Sequence, residues 1–194
     1  MDETSESTAA RNFLFEATVA ARAHRPDRGI EAILDAKSDT GIRINGKKIW
    51  VECKRVTTVD KIESNVRKAS SQLENLLDRE VGSGHRGIVA LDISKILNWG
   101  DQIFVARNDS ELLVSVDRQM DQFIEQYSQV WQRIYERRHK KIIGTIVSFS
   151  FMASSEARNL LVRTSQWGMN PRLGIAEGDK QIQRQLVTIL VSVP

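Results

Sequence analysis

The segment from residue 38 to residue 55 reads SDTGIRINGKKIWVECKR and holds three side chains whose types and spacing suit phosphate chemistry: Asp39, Glu52 and Lys54. If WVECK is a strand, alternation puts Glu52 and Lys54 on one face, about 6.6 Å apart along it, with Cys53 pointing away. A tight hairpin before that strand would bring Asp39 beside Glu52. Two carboxylates held together in a partly buried site repel each other, and a hard divalent cation with oxygen ligands, Mg²⁺ or Mn²⁺, resolves the repulsion. Such a cation lowers the pKa of a bound water and polarises a phosphoryl oxygen, while Lys54 would orient the water and offset developing charge. The chemistry expected from this set is phosphodiester hydrolysis.

The flanking sequence predicts the elements that must position these residues. NFLFEATVAARAH, residues 12–24, is rich in helix formers and places Phe13, Ala17, Ala20 and Ala21 at helical spacing, with Pro26 and Gly29 as its stop. The period then changes over EAILDAKS, GIRIN and KKIWVECKR, read as three strands, with Asn45-Gly46 a strong hairpin signal. Thr58 to Asp78 returns to helical spacing (Ile62, Val66, Ala69, Leu73, Leu76, Leu77), and RGIVALDIS after Gly82 and Gly84 reads as a buried strand. Beyond it, residues 110–141 form a long amphipathic pattern read as one helix ending in the basic run ERRHKK. KIIGTIVSFSF is read as a further strand, and RNLLVRTSQWGMNPR as a strand leading into a Gly/Pro loop. The closing stretch DKQIQRQLVTILVSVP starts in a pattern open to helix, and its state is left undecided.

Taken together, SDTGIRINGKKIWVECKR resembles the core motif of the PD-(D/E)XK nuclease superfamily. Asp39 matches its metal-binding Asp, Glu52-Cys53-Lys54 matches its (D/E)XK, and Ser38 stands where the family often has Pro. The step from Asp39 to Glu52 is similar to that in archaeal Holliday-junction resolvases. Glu16 occupies the place where such families often carry a Glu in the first helix. Gln72 matches a supporting Gln of the RecB-like branch, although Leu76 stands where that branch commonly has Tyr. The resemblance covers residues 12–93 and implies an α/β fold, a restriction-endonuclease-like core with a central mixed β-sheet flanked by helices (α-β-β-β-α-β) and C-terminal helical and strand additions. It also implies a Mg²⁺-dependent deoxyribonuclease in which Asp39, Glu52 and the carbonyl of Cys53 hold the metal, Lys54 assists the water, and Glu16 and Gln72 support the site. DNA is the partner implied, with a homodimer as one arrangement and no membrane. A module that keeps the fold and binds nucleic acid or protein without catalysis is the alternative.

Composition sets the frame for these readings. The chain has 194 residues, 41% hydrophobic and 27% charged, as expected of one ordinary globular domain over residues 11–194 with residues 1–10 as a loose tail. Formal net charge is +3, and +6 without the acidic tail residues Asp2, Glu3 and Glu6, which is compatible with a polyanionic partner. No apolar run approaches a membrane span and the start does not resemble a secretory signal, so a cytoplasmic location is expected. A single cysteine and three scattered histidines exclude an intrachain disulfide and a Cys/His zinc site.

Each residue also has a plainer reading. Ser-Asp-Thr-Gly suits a turn at Asp39, and Asp35 in AILDA is a rival carboxylate. Cys53 reads as a small buried hydrophobe, and the three histidines read as surface residues near element ends. The basic clusters (Lys47-Lys48, Lys54-Arg55, Arg67-Lys68, Arg137 to Lys141) suit either a phosphate footprint or ordinary solvated faces.

Overall fold

The structure is a computed structural model that describes residues 5–34, 40–82, 84–157 and 160–192. Helix α1 (Ser5–Ala23) leads through a 3-10 turn at Pro26–Arg28 into β1 (Ile30–Leu34), β2 (Thr40–Ile44) and β3 (Lys47–Arg55). Helix α2 (Ile62–Arg79), β4 (Arg86–Asp92), a short α3 (Ser94–Leu97) and β5 (Ile103–Ala106) follow. The chain continues with α4 (Asp109–Glu136), β6 (Ile142–Ser155), β7 (Leu160–Pro171) and α5 (Glu177–Val191). The result is an α/β fold with a mixed seven-stranded sheet in the order β1-β2-β3-β4-β6-β5, to which β7 adds by pairing with β6.

The hairpin expected at Asn45-Gly46 forms because both residues adopt positive φ, 50° and 76°, the conformation a two-residue primed turn requires. Its strands pair antiparallel with Ile44 opposite Lys47 and Gly41 opposite Trp50. β3 then pairs parallel with β4 from Ile49↔Arg86 to Arg55↔Asp92, and β4 pairs parallel with β6. Strands covered on both sides carry near-continuous apolar runs, and IWVEC and GIVAL are such runs.

Alternation along these strands splits the core in two. Trp50, Val89 and Leu91 face α2 and α4, whereas Ile49, Val51, Cys53, Ile88 and Ala90 face α1 and α5. The inward row of α2 (Ile62, Val66, Ala69, Leu73, Leu77) is the expected stripe except that Leu76 is only partly buried at its margin. Trp131 and Trp167 are core residues as well, while Trp99 is exposed.

Several expectations need correction. Helix α1 begins at Ser5, so residues 5–10 belong to a helix rather than to a loose tail; Ala9, Ala10 and Glu6 are good helix formers, and propensity extends the element toward its start. Helix α4 stops at Glu136, short of the expected Lys141. The guanidinium of Arg172 donates to the carbonyls of Arg138 (3.3 Å) and His139 (2.9 Å), and Arg138 pairs with Glu74 at 2.6 Å, so the basic run turns off the helix axis. The helix's own last carbonyls at Ile134 and Tyr135 accept from the Arg137 and Arg138 backbone N–H groups, and Arg172 holds the turn that follows. His85 is buried rather than at the surface, its ring 2.6 Å from the Lys141 ammonium; burial and that neighbouring charge hold its pKa below the ordinary value. The last segment forms α5, which was left open. Among the described residues, α3 and β5 are elements the sequence reading did not anticipate.

Candidate active site

Glu52 and Lys54 sit near the end of β3, the strand with β2 on one edge and β4 on the other. The Lys54 ammonium donates to Glu52 Oε1 at 2.5 Å, and the two side chains are 8% and 10% exposed. Taking two charges out of water costs several kcal/mol for each ion before any mutual attraction is counted, and an apolar pair of similar volume is often as stable or more so. Packing alone therefore does not account for a carboxylate and an ammonium at this depth.

The neighbours on β3 differ in kind. Cys53 is fully buried among apolar side chains. Burial first, then the negative charges of Glu16 and Glu52, push its thiol well above the ordinary value of 9.0. This matches the expectation of a small buried hydrophobe and excludes a thiolate role at neutral pH. The native protein is accordingly expected to react with thiol reagents only as it unfolds. Because the folded thiol holds its proton where the unfolded one loses it, stability should fall as pH rises through about 9, and the slope should be shallower in Cys53→Ala. Urea titrations at several pH values read both effects.

Glu16 is half-buried on α1, close enough to β3 for its charge to act on Cys53. One turn earlier on the same helix, Asn12 Oδ1 accepts the Arg55 backbone N–H at 2.9 Å, pinning α1 to the end of β3. The sequence reading missed this anchor, as well as Asp92, which pairs with Arg55 at 3.8 Å where β3 and β4 end. Both were visible as polar residues closing apolar strands, the position where open α/β sheets carry ligand-facing groups.

Gln72 does not join this set. It is exposed on α2, roughly 100° around the helix from the inward-facing Leu73. Asp39 and its rival Asp35 lie outside the described residues. The residue after Asp39, Thr40, is buried at the start of β2, one step before the Gly41↔Trp50 pair.

Among the described residues no group of three or more His, Cys, Asp or Glu side chains is placed to hold a metal ion. Glu52 is a hard oxygen donor of the kind Mg²⁺ takes, and the protonated Cys53 thiol is not a competing soft ligand. The donor chemistry fits a hard cation.

Several of the basic clusters are engaged within the protein. Lys48 pairs with Glu80 at 2.5 Å and lies over the Trp50 ring, Arg67 pairs with Glu63, and Arg86 pairs with Asp179 at 2.9 Å. No helix among the described residues is long and apolar enough to cross a membrane.

No protein-family model matches the chain, and no curated protein matches it. Among solved structures the chain is similar to the central domain of yeast acetyl-CoA carboxylase, at 9% identity and a TM-score of 0.30, over 84% of this chain and 24% of that one. The chain thus spans about a quarter of that structure, and a likeness at this score carries no argument about fold family or function.

Proposed function

We propose that this chain is a metal-dependent deoxyribonuclease of the PD-(D/E)XK kind, with Asp39 and Glu52 as its metal-binding carboxylates and Lys54 as its catalytic ammonium. The observation that carries the reading is the buried Glu52–Lys54 pair at the end of β3. It is supported by the order α1-β1-β2-β3-α2-β4, the order expected from the family resemblance.

In this reading Glu52 has two tasks. Its carboxylate supplies oxygen ligands together with Asp39, and its Oε1 holds the Lys54 ammonium at 2.5 Å in one place. Fixed in that way, Lys54 orients the attacking water with a donor that needs no reorganisation, and its charge offsets the charge that develops on the phosphoryl oxygens. Mg²⁺, when bound, polarises the phosphoryl oxygen and lowers the pKa of a coordinated water. Glu16 on α1 is the supporting carboxylate that the family resemblance implies, and the carbonyl of Cys53 is the remaining proposed ligand. Gln72, being exposed, is left out of the proposal.

Supercoiled plasmid incubated with the protein is expected to be cut with Mg²⁺ or Mn²⁺ and left intact with EDTA. Lys54→Met should lower the rate by about two orders of magnitude or more, the usual scale for losing a positioned proton-handling or charge-stabilising group. Salt-dependent DNA affinity without cleavage, unchanged by EDTA and by Asp39→Ala, would instead identify a binding module that keeps the fold.

A further inference from the structure

A cleft distinct from the Glu52–Lys54 pair opens where the parallel strands end. Its floor follows the register across three strands, since Arg55 lies opposite Asp92 and Asp92 lies opposite Ser148. Helix α1 forms one wall and β7 another, enclosing about 430 Å³. Neither Glu52 nor Lys54 lines it.

Its chemistry is cationic. Arg11, Arg22, Arg55, Lys95 and Arg163 line the cleft against two carboxylates, Asp92 and Asp101. Both carboxylates are already engaged: Asp92 accepts the Ser94 N–H at 3.0 Å and faces Arg55, and Asp101 accepts from Lys95 at 2.5 Å. Arg55 Nε is buried and makes no hydrogen bond among the described residues, its ion-pair partner Asp92 Oδ2 standing 3.8 Å away, too far to accept one. The Ser148 side chain, on a residue only 2% exposed, brings a hydroxyl to the same floor. A buried N–H without an acceptor is costly, and a bound oxyanion removes that cost. Leu14, Phe151 and Met152 add an apolar side to the same cavity.

We infer that this cleft binds a single nucleotide, its phosphate monoester on Arg55, Arg163 and Ser148 and its base against Leu14 and Met152. The volume lies within the range of small-molecule sites. The phosphate follows from the five cations that line the cleft against two carboxylates, and Arg is the side chain that best matches phosphate geometry. The choice of a nucleotide rests on the nuclease reading; the oxyanion site does not. Two sources supply this group, a free mononucleotide or the phosphorylated end of a DNA strand.

Calorimetry in EDTA separates the cases, because it removes any metal at Glu52. The probes are dTMP, thymidine, and tetrathymidylate with and without a 5′-phosphate. Each phosphorylated probe is expected to bind about tenfold or more tightly than its unphosphorylated counterpart, and Arg55→Gln and Ser148→Ala, each confirmed as folded by circular dichroism, to reduce that preference. Tighter binding of dTMP points to the free nucleotide, and tighter binding of the phosphorylated tetramer to a strand end; both bear the site out. Equal binding of dTMP and thymidine, no binding of any phosphorylated probe, or a phosphate preference unchanged in both variants would overturn it. A Mn²⁺ titration on the same preparation tells failure of the cleft from failure of the nuclease reading.

Discussion

Replacing Lys54 by methionine is expected to destabilise the protein at neutral pH by about 3–5 kcal/mol, the cost of leaving a buried carboxylate without its ammonium. Glu52 and Lys54 are 10% and 8% exposed, so water does little to compensate. The deficit should shrink toward acid pH, as the stranded carboxyl takes up a proton and no longer has to be buried charged. Replacing both partners, Glu52→Leu with Lys54→Met, should recover most of the loss or exceed the wild type, because two apolar side chains of similar size carry no desolvation cost. Both variants are expected to lose DNA cleavage. That combination, stability recovered and activity absent, marks a pair kept for its chemistry. Urea denaturation of the single and double variants measures it, and a Lys54→Met protein within about 1 kcal/mol of wild type would show that the pair is not energetically buried.

A second large effect is expected at Gly144, on β6. Its φ is +148°, and the register of β4 against β6 shifts beside it, between Gly87 and Ile88. A Cβ added there would lie 2.5 Å from the Asn170 carbonyl oxygen, 2.6 Å from Gln183 Nε2 and 2.9 Å from the Arg172 backbone nitrogen. Two of these atoms are main chain of β7 or the residue just after it and cannot swing aside. Gly144→Ala should therefore cost about 3 kcal/mol or more, combining backbone strain with overpacking. Gly168 is the useful contrast. A Cβ there meets Ile124 Cδ1 at 2.5 Å and Met120 Cγ at 3.0 Å, atoms of side chains that can shift rotamer, so Gly168→Ala should cost only about 1–2 kcal/mol. The difference between the two urea midpoints reads the rigidity of the β6–β7 seam directly.

The parts of this fold that were legible in the sequence are those where local preference and burial agree. Asn45-Gly46 has the backbone freedom its turn needs, and the hairpin followed from it. The stripe on α2 was readable because the helix has one buried face, and β3 and β4 were readable because strands covered on both sides carry apolar runs. β5 escaped because four residues, IFVA, are too few to show a period, and the strand exists only by pairing with the far end of β6. The end of α4 escaped for a related reason. Arg172 and Glu74, both distant in sequence, draw Arg138 and the backbone after it away from the helix, which no local pattern reports.

The site divides along the same line. Glu52 and Lys54 share a face by strand alternation, and the structure pairs them. Gln72 was placed by motif spacing, whereas its exposure is set by helix phase, which puts Leu73 and Ala69 inward in its stead. His85 looked like a loop residue after Gly84, yet it is buried beside Lys141 because the two ends of distant segments close over it. The cationic cleft was invisible for the most basic reason, since Arg55, Ser148 and Arg163 meet only through the sheet's register.

The central claim is that Glu52, with Asp39, holds a divalent cation beside Lys54. Titration calorimetry with Mn²⁺ on the wild type, Asp39→Asn and Glu52→Gln tests it without requiring the right nucleic acid. The account predicts that the wild type binds Mn²⁺ and that both variants, folded by circular dichroism, bind it at least about tenfold more weakly, as expected when a charged oxygen ligand is lost. A wild type that takes up no Mn²⁺, alone or with DNA present, or variants that bind as the wild type does, would contradict it.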